Sequence, residues 1–191
     1  IILNMHGYVH QYIEKEPHRA LGRSPAVAIL EQTDMVRMLP PAAANLNKRL
    51  AKSPKIYLRD SGILHALFNI EAYDYLLANS IAGASWEGFV IENLIAHYDR
   101  WRPPFMQTSN GAEIDLVLER AGRYLLFECK LSKAPKPSRG FHELVDAMQP
   151  ASAWVFAPVD EPYEIARGIV VCSPQHLHRP PVLRETGENA S

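Results

Sequence analysis

The chain has 191 residues, 47% of them hydrophobic, and a formal net charge of −1. That length and composition suit one medium domain with a true core, and the near-neutral charge excludes a global attraction to nucleic acid, leaving only local basic patches for that role. No apolar run approaches the roughly 18 residues of a membrane span, the start IILNMHGYVH has neither a basic leader nor a small-residue cleavage site, and Cys129 and Cys172 are too few for a disulfide framework or thiolate zinc site.

A cytoplasmic protein with reduced core cysteines and no membrane association is therefore expected. The missing initiator Met suggests a part of something longer.

Residues 1–60 read as a partial winged-helix-like unit. Tyr8 to Glu14 and Pro25 to Glu31 are the candidate helices, the second capped by Ser24 with Pro25 at its first position, and Met35 to Leu39 and Lys55 to Leu58 form a two-stranded wing. This order serves DNA binding and protein docking equally well. Between the strands, Lys48, Arg49, Lys52, Lys55 and Arg59 occur with no acid before Asp60, a run that reads as a solvated loop ahead of a phosphate-binding one.

Asp60 to Ile70 follows as a helix capped by Asp60 or Ser61, with His65 as a polar surface residue, and Glu71 to Ser80 as a second short helix. Ala84 to Tyr98 is the strongest helix, capped by Ser85 and apolar over more than half its circumference, so it is expected against a sheet. At about 100° per residue, Glu87 lies on the side of Ile91, Leu94 and Tyr98. Glu92 lies about 140° away, which makes Glu87 the acid aimed inward.

Phe105 to Ser109 predicts a first strand. Gly111 to Lys136 then predicts a hairpin, turning at Arg120-Ala121-Gly122-Arg123. Ile114, Leu116 and Leu118 alternate with Glu113, Asp115, Val117 and Glu119, and Glu128 and Lys130 share one face of the second strand, Tyr124 to Leu131. Charges at the end of a buried strand need partners. A Glu128–Lys130 or Asp115–Lys130 ion pair, or plain exposure, supplies one reading; a divalent metal on Asp115 and Glu128, with Lys130 beside the reacting group and Glu87 as third acid, supplies the other. Glu113 shares the face of Asp115 but reads as exposed. Lys133, Lys136 and Arg139 lie in a proline-rich loop next to Lys130, and Ser138 caps a helix with Phe141, Leu144, Val145 and Met148 in one stripe. Ala153 to Ala157 and Ile169 to Cys172 read as buried strands, His176 and His178 as surface residues, and residues 179–191 as a disordered tail.

Helix with Glu, strand, strand with Asp, strand with Glu-x-Lys, helix, strand is a layout that resembles the PD-(D/E)XK nuclease-like superfamily, at Glu87, Asp115, Glu128 and Lys130. LPPAAANLNKRLAKSPKIYLRDSGIL, GASWEGFVIENLI, GAEIDLVLE and FECKLS more closely resemble the domain of unknown function 4143, found at the C-terminal end of prokaryotic AAA-type ATPases. The resemblance implies an α/β fold over residues 61–178, a restriction-endonuclease-like mixed central sheet flanked by helices.

It also implies Mg²⁺ or Mn²⁺ held by Asp115, Glu128 and the Cys129 backbone carbonyl, with Glu87 completing the shell. Lys130 would orient the attacking water, and Lys133, Lys136 and Arg139 would line the approach of a DNA or RNA backbone. An AAA-type ATPase module is the implied protein partner. No GxxxxGK[ST] loop occurs in the sequence, so no ATP site is expected in it. A metal-dependent nuclease domain is the first expectation, a non-catalytic nucleic-acid- or partner-binding module with a vestigial site the second, and a functionless gene remnant the third.

Overall fold

In the computed structural model, which describes residues 32–41, 54–107 and 113–177, the elements run as follows. They are β1 (Val36–Leu39), β2 (Lys55–Leu58), α1 (Ser61–Leu67), α2 (Tyr73–Leu77), α3 (Ala82–His97), β3 (Met106–Gln107) and β4 (Glu113–Ile114). Then come β5 (Leu116–Arg120), β6 (Arg123–Cys129), α4 (Arg139–Met148), β7 (Ser152–Phe156), β8 (Tyr163–Ala166), β9 (Ile169–Cys172) and a 3-10 turn at Pro174–His176. The expected helices Tyr8 to Glu14 and Pro25 to Glu31, the basic positions 48, 49 and 52, His178 and the tail lie outside the described residues.

The centre is a five-stranded mixed sheet in the order β5-β6-β7-β9-β8. β5 and β6 are antiparallel, β6, β7 and β9 run parallel, and β8 returns antiparallel to β9. Parallel neighbours need a crossover, and α4 supplies it between β6 and β7. The sheet is covered on both faces, which is why its strands read as apolar runs in place of strict alternation. On one face Val90, Ile91 and Leu94 of α3 pack with Leu116, Leu118, Leu125, Phe127, Trp154 and Phe156. On the other, Phe141 and Leu144 of α4 pack with Ile114, Val117, Leu126, Val155 and Val171.

The β5–β6 hairpin turns where the sequence breaks. Arg120 pairs with Arg123, and Ala121 and Gly122 carry it with φ of 51° and 76°, the left-handed pair that suits the twist of a two-residue hairpin. β1 and β2 pair antiparallel over Val36–Leu39 and Lys55–Leu58. Leu39 is buried in the same core as α3, and Phe105 N–H donates to the Pro40 carbonyl at 2.9 Å, so the small hairpin is stitched to the larger sheet's α3 side.

Three local expectations are revised. Ile114 does not share a face with Leu116 and Leu118: the chain bends at Asp115, between β4 and β5, and Ile114 joins Val117 in the core beneath α4. Ser85 does not cap α3, which begins at Ala82; it is buried in the helix and hydrogen-bonds His65 Nε2 at 2.7 Å, so His65 ties α1 to α3. β8 was not foreseen, because its sequence YEIA lacks an apolar run and only its last two residues are partly covered. Other caps follow the sequence: Asp60 accepts from the Gly62 and Ile63 amides at 2.7 and 3.1 Å, and Ser138 from Phe141 at 3.1 Å. No helix among the described residues is long and apolar enough to cross a membrane.

Phe127 is fully buried, with its ring 5.3 Å from Trp154, 6.0 Å from Phe156 and 6.2 Å from Tyr98 between centroids. Phe127→Ala is expected to cost about 3–5 kcal/mol of unfolding free energy, read as a lower urea midpoint.

Candidate functional site

Two acids one and a half turns apart on α3 receive the β1–β2 hairpin. Glu92 accepts from Arg37 Nε and, at 3.0 Å, from both Arg37 Nη2 and Arg59 Nε; Arg59 Nη1 also reaches Asp34 at 2.7 Å. Glu87 accepts from Lys55 Nζ at 2.9 Å and Tyr57 Oη at 2.5 Å. Contrary to the helical-wheel reading, Glu92 is the less exposed acid, its side chain 13% accessible against 25% for Glu87. The helix is enclosed on two sides: the sheet takes Ile91 and Leu94, and the hairpin takes the flank of Gly88 and Glu92. A Cβ at Gly88 would stand 3.3 Å from the Tyr57 ring, so glycine lets β2 lie close to α3.

Lys55 also pairs with Glu113 of β4 and stands 3.5 Å from Asp115 Oδ1. One ammonium thus joins β2, α3, β4 and the bend before β5. Asp115 in turn accepts the Cys129 N–H at 2.8 Å through Oδ2, latching the bend to the end of β6. Burial pushes the Asp115 carboxyl up to about 6; the Glu87 charge adds to this, and Lys55 and the Cys129 amide oppose it. Burial alone would lower the Lys55 ammonium, but the charges of Glu87, Asp115 and Glu113 outweigh it and hold it above the usual lysine range. Burial, with Glu87 as acceptor, likewise keeps the Tyr57 phenol protonated far above its normal range.

Glu128 points to the α4 side. Its two oxygens accept the Ser138 N–H at 3.2 and 3.0 Å, just where α4 begins, and Lys130 Nζ lies 2.9 Å from Oε1. The Glu128–Lys130 ion pair is therefore present. Burial works against the Lys130 charge, but the hydrogen bond and charge of Glu128, with Asp115, raise it above the lysine norm. Phe156 carbonyl takes both Lys130 N–H at 2.9 Å and Trp86 Nε1 at 3.2 Å, which fixes the end of β6 against α3. Burial, reinforced by the Asp115 and Glu87 charges, pushes the Cys129 thiol well up.

Glu87 and Asp115 accordingly meet at one ammonium, while Glu128 is held on its own partners across the strand. Glu113, expected to be exposed, is a full member of the Lys55 cluster. Among the described residues no three His, Cys, Asp or Glu side chains are set to hold a metal ion; the point where three carboxylates converge carries Lys55 Nζ. In kind the donors fit a hard divalent cation, since they are carboxylates, outnumber their one ammonium three to one, and include an acid whose charge burial resists. Lys133 and Lys136 are exposed on the loop between β6 and α4, whereas Arg139, expected in that loop, is the exposed first residue of α4 and pairs with Glu143 at 2.7 Å. Lys55 was the residue that sequence reading missed. Its alternation with Tyr57 on a short strand was the available signal, hidden by the run of basic residues before it.

A raised carboxyl pKa means that the folded protein holds the Asp115 proton more tightly than the unfolded chain, so stability is greatest below the unfolded value of 3.8 and falls as pH rises to about 6. Asp115→Asn is expected to abolish that decline, about 3 kcal/mol for two pH units, as the difference between wild-type and variant urea-unfolding curves from pH 3.5 to 7.

Comparison with known families and proteins gives two profiles. A domain of unknown function (DUF8612) matches residues 23–74, which contain β1, β2 and α1, and a domain of unknown function (DUF4143) matches residues 82–176. Similar curated proteins include uncharacterized protein Mb2031c of Mycobacterium bovis and uncharacterized protein Rv2008c of Mycobacterium tuberculosis, each 38% identical over 136 residues. The match takes in 71% of this chain and 31% of each mycobacterial protein, so the chain spans about a third of their length. No solved structure matches. From α3 to the 3-10 turn, residues 82–176, the chain is thus similar to the family described as a domain of unknown function (DUF4143).

Proposed function

We propose that this chain carries a phosphodiester-hydrolysing site of the PD-(D/E)XK kind, acting on DNA or RNA with Mg²⁺ or Mn²⁺, within a restriction-endonuclease-like sheet. The observation that carries the reading is the latch at the end of the β5–β6 pair. Asp115 accepts the Cys129 amide at 2.8 Å and shares the Lys55 ammonium with Glu87, so acids from α3 and the β4–β5 bend stand beside the strand that bears Glu128 and Lys130. Asp115, Glu128 and the Cys129 carbonyl would hold the metal, with Glu87 completing its shell. When bound, such an ion polarises a phosphoryl oxygen and lowers the pKa of a coordinated water.

The chain's own contributions are positional. Ser138 N–H and Lys130 fix the Glu128 carboxylate, so it does not have to be ordered when substrate arrives. Lys130, protonated and half-exposed, orients the attacking water and meets charge developing on the phosphodiester. Lys133 and Lys136 on the next loop, with Arg139 at the start of α4, supply exposed cations for the flanking phosphates. The coverage of the mycobacterial proteins favours a role within a larger assembly, for which an AAA-type ATPase module is the proposed partner.

A second reading, a nucleic-acid- or partner-binding module with a vestigial site, is favoured by Lys55, whose charge already compensates the acids. Incubation with plasmid, single-stranded DNA and RNA in Mg²⁺ or Mn²⁺ separates the two. Hydrolysis is expected, reduced about 100-fold or more by Lys130→Ala; salt-dependent binding with no product in any of these mixtures would establish the binding module instead.

A further inference from the structure

We infer that Lys55 is the resident counter-ion of this site and that a divalent cation enters by displacing it. The inference rests on the reading of Glu87 and Asp115 as metal-site acids. Its own ground is the position of one atom: Lys55 Nζ lies 2.9 Å from Glu87 Oε1 and 3.5 Å from Asp115 Oδ1 and pairs with Glu113 Oε1. A hard cation held by Glu87 and Asp115 would need oxygens that this ammonium now engages. An ammonium and a doubly charged ion cannot both stand there without strong repulsion.

Lys55 is built to leave. Its four-carbon stem is flexible and its charge is compact. The β1–β2 hairpin that carries it is anchored independently by Arg37 and Arg59 on Glu92 and by Leu39 in the core. The ammonium can swing out while β2 stays in place. In leaving it gives up its contact with the buried Phe105 ring, whose centroid lies 5.5 Å from Nζ.

Three carboxylates against one ammonium leave an excess of two negative charges, so the acids hold Lys55 without being neutralised by it. Loss of Lys55 leaves three, and a divalent ion then replaces one positive charge with two. The outcome is competition, in which the apparent affinity for metal falls by the fraction of molecules whose site is open. Metal-free, the site is closed by the protein itself and stays folded; metal-bound, the Lys55 side chain is exposed.

The test is Mn²⁺ titration by calorimetry of the wild-type chain and of Lys55→Met, which keeps the apolar stem and removes the charge. The variant is expected to bind Mn²⁺ at least about 10-fold more tightly. Equal affinity, weaker affinity, or no binding by either protein overturns the inference. Should circular dichroism show that Lys55→Met does not fold, the wild-type chain decides. Acetic anhydride labelling of Lys55, followed by mass spectrometry, is expected to be slow without metal and faster in millimolar Mn²⁺, and unchanged labelling overturns the inference. Neither readout involves cleavage. Tighter metal binding by the variant in a chain that cuts nothing would retire the hydrolase reading and leave this one, and an active chain whose Mn²⁺ affinity ignores Lys55 would do the reverse.

Discussion

The contact on which the arrangement depends is the ammonium of Lys55 among carboxylates from three separate parts of the chain. A half-buried charge is tolerated only when its partners repay the lost hydration, and here Glu87, Glu113 and Asp115 do so together. Because the partners lie on α3, β4 and the bend into β5, one cation brings the small hairpin, the long helix and the central sheet to a common point. Removal of any one acid would leave the others to share it, whereas removal of the cation would set three like charges against one another.

The second acid of α3 repeats the device with different chemistry. Glu92 is gripped by two guanidiniums, whose planar forks give directional, paired hydrogen bonds. Glu87 meets an ammonium and a phenol. The first arrangement is rigid and saturated; the second has a flexible partner and unspent negative charge. One helix thus carries a structural lock at Glu92 and, about 140° around its axis at Glu87, the centre proposed to exchange its cation.

Much of the architecture was legible from residue pattern. Ser138, Asp60, the 120–123 turn, the helix at 139–148 and the β9 strand stand where capping chemistry, left-handed turn residues and apolar runs place them, because each of those signals is local. What depended on tertiary contact was harder to read. Glu92 looked outward because the helical wheel counted only the sheet, and the hairpin that covers its other flank arrives from far away in sequence. Lys55 and Arg59 looked like solvated loop charges for the same reason. The bend at Asp115 could not be seen either, since EIDLVLE alternates as though it were one straight strand. The four motif positions marked in the sequence fall into two groups: Glu87 joins Asp115 and Glu113, and Glu128 turns to Ser138 and Lys130. Motif positions therefore indicate where to look, and the side-chain partners decide what the site can do.

The bend at Asp115 also sets how this segment can evolve. It places Ile114 in the layer beneath α4 and Leu116 in the layer beneath α3, so residues two apart in sequence face opposite halves of the interior. Gain or loss of a single residue there would swap their layers and misplace Asp115 and Glu113 as well. The exposed Ala121–Gly122 tip, only a few residues on, has no such constraint. Change of length is thus tolerable at one end of β5 and forbidden at the other, which makes the tip the natural point for joining a fused segment to this domain.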